Sequence, residues 1–235
     1  GAMEILPHFN KPKVTYGLTP QCDVTATDVS YSGRTSQCTV LYNDEPVGTL
    51  ELQIPGLHNI KNALAAVTIG LKLGIPFSTI AEALREFTGV YRRFEMRGER
   101  RGVKVIDDYA HHPTEVKATL QAAKTGWKNR IVCVFQPHTY TRTRDFAVEF
   151  GKSFANADVL VVTDVYAARE TPIEGVSGEL IASAARQFGH RHVHYIPSKN
   201  ELPAFLDSIV REGDIVLTLG AGDIWKCADE FLRLS

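Results

Sequence analysis

Apolar positions follow two different patterns along the chain. Between residues 14 and 54 they form short runs separated by turn residues: 14–18, 23–31, 37–42, and 47–54 after Asn43-Asp44-Glu45-Pro46. Runs of this length predict a small antiparallel sheet. Two helices are expected next. Ile60, Leu64, Val67 and Leu71 recur at helical spacing up to Gly74, and Ile80, Leu84 and Phe87 follow Ser78, a residue suited to capping. Together these make about ninety residues, slight for a complete domain.

From Gly102 strand-like and helix-like segments alternate. Strands are expected at 103–106, 131–135, 159–165, 192–196 and 215–219, and helices near 114–124, 145–155, 178–188, 200–211 and 224–233. Such alternation predicts an α/β fold, a mostly parallel sheet with helices on both faces, preceded by the smaller α+β region. The boundary is placed at 88–91, giving domains 4–90 and 91–235. Gly1-Ala2-Met3 resembles the scar of a cleaved expression tag and is set aside.

Composition narrows the function. With 235 residues, 44% hydrophobic and 23% charged, the chain can bury one good-sized core or two smaller ones. Its net charge of -1 offers no field that would gather nucleic acid or an anionic membrane surface. No apolar run approaches the ~20 residues of a bilayer span, and the opening residues lack a secretory signal, so a cytoplasmic protein without membrane insertion is expected. Cys22, Cys38, Cys133 and Cys227 are scattered with no Cys-x-x-Cys pair, which suggests neither a zinc site nor a thioredoxin-like motif.

Open parallel sheets bind ligands beyond the carboxyl ends of their strands. There the sequence places Asp107-Asp108-Tyr109-Ala110-His111-His112-Pro113, then the stretch from Gln136 to Asp145, then Tyr166-Ala167-Ala168-Arg169-Glu170, and finally Gly220-Ala221-Gly222-Asp223. The opposite connections, 125–129 and 187–191, read as ordinary polar turns. A ligand-binding rim follows. The first string also reads as a helix-entry loop, with Asp108 accepting backbone hydrogen bonds, Pro113 fixing the first turn and Thr114 helping to cap. His111 and His112 are neighbours with no third metal ligand evident, so no metal site is assigned. Arg142 and Arg144 precede an expected helix, where positive charge opposes the macrodipole. An anion nearby would explain that cost, and a guanidinium can grip a carboxylate through two parallel hydrogen bonds. Arg144 could equally pair with Asp145 or Glu149. Arg92-Arg93-Phe94-Glu95 also reads as a linker with a surface ion pair.

Taken together, the string from Gly56-Leu57-His58-Asn59 to Asn62-Ala63-Leu64, Arg92-Arg93-Phe94-Glu95, Asp107 through Glu115, and Phe135 through Arg144 resemble the ATP-dependent Mur ligases of peptidoglycan synthesis. The likeness covers nearly all the chain after residue 50. It implies the tail of a central ATPase domain followed by a Rossmann-like C-terminal domain, without the Gly-rich Lys-Thr phosphate loop. No G-x-x-x-x-G-K-[ST] string occurs. The branch most resembled joins L-alanine to UDP-N-acetylmuramate with ATP and magnesium through an acyl phosphate. By that resemblance Asn59 and Asn62 face the adenine, Arg93 and Asp108 approach the ribose and phosphates, and Tyr109, His111 and Arg142 line the alanine pocket. Arg142 would pair with the alanine carboxylate, and His111 would assist deprotonation of the amine. Some members carry a second arginine where this chain has Thr139. The fragment alone is expected to be inactive, and to self-associate through apolar strand surface if its partial central domain does not pack. The recycling ligase for a preformed tripeptide, and a non-catalytic nucleotide or amino-acid binding module, stand as alternatives. A nicotinamide dehydrogenase lacks its glycine fingerprint.

Overall fold

The computed structural model describes His8 and residues 10–234; the Gly1-Ala2-Met3 segment lies outside them. The chain divides into two compact units, one running to Phe87 and the other from Thr88 onward, the second also taking in the short pieces 32–34 and 54–56.

In the first unit β1 (Val24–Ser32), β2 (Thr35–Tyr42) and β3 (Glu45–Leu52) form a three-stranded sheet in that order. Asn43 and Asp44 both take positive φ, 51° and 66°, which is the backbone of a two-residue hairpin turn, so β3 begins at Glu45, two residues earlier than the sequence pattern suggests. Pro46 is tolerated because β3 is an edge strand. Residues 14–18 do not form the expected strand; only Tyr16 bridges, to Val24. α1 (Leu57–Lys72) buries Ile60, Leu64 and Val67, as its spacing predicts. α2 (Phe77–Glu86) follows Pro76 with no side-chain cap, so Ser78 sits inside the first turn instead of capping it. Of its predicted stripe only Ile80 is buried, and Phe87 lies beyond the helix. Apolar strand positions Val24, Cys38, Val40, Leu50 and Leu52 are buried. The most exposed apolar residues of this unit are instead Ile69, near the end of α1, and Leu73, just beyond it.

The second unit is a six-stranded sheet ordered β4-β5-β9-β6-β7-β8. Its strands are β4 (Glu95–Arg100), β5 (Val103–Asp108), β6 (Ile131–Phe135), β7 (Val159–Val162), β8 (Val193–Tyr195) and β9 (Ile215–Leu219). β4 runs antiparallel to β5 and the remaining pairs are parallel. On one face Val116 and Leu120 of α3 (Pro113–Gly126), Phe150 of α5 (Ala147–Gly151) and Ile181 of α6 (Gly178–Gln187) cover Ile106, Cys133, Phe135, Leu160 and Leu217. On the other, Leu202 and Leu206 of α7 (Leu202–Ile209) and Phe231 of α8 (Trp225–Arg233) cover Val105, Val132, Val134, Val161 and Val216. Successive residues of a strand point to opposite faces, so strands covered on both sides read as unbroken apolar runs, and β6 and β9 sit where those runs predict. The helix expected near 145–155 is instead two short pieces, α4 (Tyr140–Asp145) and α5, broken at Phe146.

β9 lies between β5 and β6, and its following helix α8 packs on the face opposite α3 and α5, so the loop leaving β9 diverges from those leaving β5 and β6 and opens a crevice at the carboxyl ends. Among the described residues no helix is long and apolar enough to cross a membrane.

Candidate functional site

The rim is organised from beneath by Asp107 and Asp108, the last residues of β5. Both are buried, and burial pushes both carboxyl groups above the usual range, opposed by the donors around them. Asp107 accepts from Arg92 Nε at 2.8 Å and from Thr218 Oγ1 of β9 at 2.7 Å. Arg92 gives its two terminal nitrogens to Gly222 O (2.9 Å) and Gly220 O (2.7 Å) in the loop after β9. The guanidinium also lies 5.1 Å from the Tyr109 ring centre. Arg92 is therefore a buried junction, not the surface linker its sequence context suggests.

Asp108 accepts from Phe94 N–H and Ala110 N–H, each at 2.8 Å, and from Thr119 Oγ1 at 3.3 Å. The first of these bonds holds Phe94 at φ 51°, and Arg92, at φ 57°, is held by its side-chain bonds and by its N–H donating to Glu95 Oε2 at 2.8 Å; non-glycine residues enter this region only when held. Both oxygens of Asp108 are thus spent inside the protein. Asp108 organises the loop that carries Arg93.

His111 and His112 diverge. His112 Nδ1 accepts from Thr114 N–H at 3.3 Å while the Glu115 carboxylate accepts from the His112 N–H at 3.1 Å, a reciprocal cap on α3 with Pro113 in its first turn. His112 supplies this cap, where Thr114 was the sequence expectation. His111 Nδ1 lies 2.9 Å from Tyr109 O and 3.3 Å from Glu115 Oε2, two acceptors, which places the proton on Nδ1 and leaves Nε2 as the basic nitrogen. The His111 ring meets Tyr109 edge-on at 5.3 Å on one side and His138 at 5.8 Å on the other.

Glu115 accepts from the backbone N–H groups of both His111 and His112. Burial raises its pKa, but these donors and the neighbouring His111 and Arg93 charges outweigh it, and the carboxyl group ends below its ordinary value. A depressed carboxylate pKa stabilises the fold above the unfolded-chain value of about 4.3, and that contribution is lost as pH falls through the folded value. Glu115→Gln is accordingly expected to lower the urea midpoint near neutrality, with the gap from wild type closing by about pH 2–3.

After β6, Thr139 stands at φ 67° and ψ 143°, a backbone region that glycine nearly monopolises. α4 follows at once, so Arg142 and Arg144 lie within a six-residue helix and not ahead of a longer one. Both fall in its last turn, where positive charge suits the helix dipole instead of opposing it. Arg144 pairs with Asp145 at 2.7 Å. Arg142 sends Nη1 to within 3.4 Å of His138 Nδ1, and no carboxylate lies within ion-pair distance of it among the described residues. Burial, then the Arg142 charge, lowers the pKa of His138 and favours its neutral form, able to accept from the guanidinium. His138 stacks on Tyr166 at 5.6 Å. Arg93, half exposed, lies 5.5 Å from the Tyr109 ring centre. The second unit thus sets Arg93, Tyr109, His111, His138 and Arg142 in sequence along one rim. In the first unit Asn59 and Asn62 share a face of α1, with Asn62 Nδ2 3.4 Å from Asn59 Oδ1.

A cleft of about 400 Å³ lies at the opposite end of the sheet, lined by Arg130, His192, His194 and Arg211. Its Arg130 is committed to Asp214 at 2.9 Å, whereas on the rim Arg142, with no carboxylate partner among the described residues, lies beside His138, whose ring in turn meets that of His111. The rim is therefore the better-equipped binding surface.

A family model described as Mur ligase, glutamate ligase domain, matches residues 92–222, more than half the chain. The chain belongs to the Mur ligase family. Among its relatives this Mur ligase chain is 54% identical over 222 residues to the UDP-N-acetylmuramate–L-alanine ligase of Salinibacter ruber, covering 94% of this chain and 47% of that protein. It is 47% identical to the ligase of the same name from Trichlorobacter lovleyi, over 98% of this chain and 51% of that one. Among solved structures, the UDP-N-acetylmuramate–alanine ligase of Thermotoga maritima matches with a TM-score of 0.82 and 32% identity, over 98% of this chain and 49% of that one. A murein peptide ligase from Psychrobacter arcticus matches with a TM-score of 0.62 and 25% identity, over 93% of this chain and 45% of that one. The Mur ligase chain spans about half the length of the curated relatives it matches.

Tyr109, His111 and Arg142 carry individual roles in the sequence, whereas His138, Tyr166 and Glu170 stand there only within rim strings and Arg92 only within a linker-like motif. For Arg92 the available signal was the pair Asp107-Asp108 ending an interior strand, since a carboxylate buried there needs a cationic or donor partner.

Proposed function

We propose that this chain is the C-terminal portion of a ligase that joins L-alanine to UDP-N-acetylmuramate at the expense of ATP. The observation that carries the reading is the Arg142 guanidinium, without a carboxylate of its own among the described residues, set beside neutral His138 on the rim that also carries His111. A zwitterionic amino acid has a carboxylate for the first and an ammonium for the last. The names of the relatives supply the identity of that amino acid and of its acceptor.

In this reading ATP converts the sugar carboxylate to an acyl phosphate, because a free carboxylate resists amines. Arg142 holds the alanine carboxylate. His111 Nε2 takes a proton from the alanine ammonium, freeing the amine to attack the acyl carbon and expel phosphate. Tyr109 forms one wall, and Arg93 receives ribose or phosphate from a loop held by Asp108. Asn59 and Asn62 each offer a donor and an acceptor to the adenine edge. Magnesium would neutralise phosphate charge. No group of three or more His, Cys, Asp or Glu converges among the described residues, so these residues do not by themselves build a magnesium shell. We also propose a cytoplasmic setting, where the nucleotides are made.

The test is product formation by the full-length ligase that carries this chain. With ATP, UDP-N-acetylmuramate and labelled L-alanine, one labelled sugar nucleotide is expected per ADP. Transfer of the tripeptide but not of alanine would reject the reading in favour of the recycling ligase, and transfer of neither would favour a binding module.

A further inference from the structure

α4 is too short to be self-supporting, and its leading residue cannot cap it. Thr139 is in a disfavoured conformation and contributes no side-chain cap. The first N–H groups of any helix need partners from elsewhere. Here they come from the loop after β7. Thr139 N–H donates to Tyr166 O at 2.9 Å, and Tyr166 N–H donates back to Pro137 O at 2.8 Å. Further along the same loop, the Glu170 carboxylate accepts from Thr141 N–H at 2.9 Å and from the Thr141 hydroxyl. Thr141 is the residue immediately before Arg142.

We propose that Glu170 is a positioning residue for alanine binding: it ties the loop after β7 to the first turn of α4 and so sets the direction of the Arg142 guanidinium. This rests on the alanine-ligase reading above. Three observations converge on it. The bond pattern joins two strand-end loops that share no regular ladder beyond the single His138–Tyr166 bridge. Both Glu170 oxygens are engaged by one residue, which fixes the turn more firmly than a single bond could. Glu170 is only partly exposed, and its pKa is lowered first by the Thr141 hydroxyl and then by the Thr141 backbone donor, as befits a carboxylate that acts on a local turn. Both Glu170 oxygens are bonded to Thr141 and no ion pair joins Glu170 to Arg142 among the described residues, so the link between the two runs through Thr141.

The experiment uses the full-length ligase with Glu170→Ala and Glu170→Gln, alone and combined with Arg142→Ala. Glu170→Ala is expected to raise KM for L-alanine about tenfold, the effect of about one charge-assisted hydrogen bond, while kcat and the KM values for ATP and the sugar nucleotide stay within about twofold. Glu170→Gln, which keeps one acceptor, should fall between. In the Arg142→Ala background Glu170→Ala should add little, because both act through one guanidinium. Amide exchange at Thr141 should accelerate in Glu170→Ala while the β6 amides stay protected. An unchanged KM for alanine, or a full additional loss on top of Arg142→Ala, would overturn the proposal. A wild-type enzyme that ignores L-alanine would sink the functional reading and this role with it, and the Thr141 exchange rate distinguishes that failure from a missing tie.

Discussion

Arg92→Met is expected to destabilise the second unit by about 3–5 kcal/mol, the range for removing one partner of a buried ion pair. The size follows from what is left behind. Asp107 is fully buried, and without Arg92 it keeps only the Thr218 hydroxyl, while Gly220 O and Gly222 O each lose a donor. Methionine fills similar volume, so the loss reports unpaired charge and not a cavity. Arg92→Lys should recover little, since an ammonium cannot reach three acceptors in the plane of a guanidinium. Arg92→Met combined with Asp107→Asn should recover part of the loss by removing the charge. Both tryptophans, Trp127 and Trp225, lie in the second unit, so fluorescence during urea unfolding reads it directly. A loss under about 1 kcal/mol would mean that Asp107 is already neutral in the folded protein.

Arg142→Ala is expected to raise KM for L-alanine roughly 30- to 150-fold, from about 2–3 kcal/mol for a charge-assisted bidentate contact. The KM values for ATP and UDP-N-acetylmuramate should change little. Thr139 sharpens the expectation. Where the resemblance allows a second arginine this chain has a threonine, in a backbone conformation that directs the turn, so no other rim arginine on this loop is placed to share the task. Steady-state kinetics with alanine as the varied substrate checks it. A comparable rise in KM for ATP would relocate Arg142 to the phosphates.

The parts of the fold that were legible in the sequence are those where burial on both faces leaves a continuous apolar run. β6 and β9 are such cases, and the rule that ligands gather at carboxyl strand ends then placed Tyr109, His111 and Arg142 on one rim. β4 was not legible, because an edge strand with one neighbour can be built from Glu95, Arg97, Glu99 and Arg100 and shows little apolar alternation. Arg92 was misread for a related reason: its partners lie 15, 128 and 130 residues away, and no local pattern announces them. The break between α4 and α5 was hidden because the stretch from Tyr140 to Gly151 contains neither proline nor an internal glycine; the interruption at Phe146 is visible only in the folded backbone. His111 and His112 look equivalent as neighbours, and only the groups around each ring show that one caps a helix while the other turns its Nδ1 to Tyr109 O and Glu115.

The central claim is that Arg142 recognises the carboxylate of the amino acid, and the most direct measurement compares L-alanine with L-alaninamide as acceptor in wild type and Arg142→Ala. The amide keeps the amine and the methyl group and lacks only the charge that Arg142 is held to bind. Wild type is predicted to prefer alanine in kcat/KM by roughly 30-fold or more, and Arg142→Ala to lose most of that preference by losing activity on alanine alone. Equal preference in the two enzymes would contradict the account and place the carboxylate against some other group on the rim.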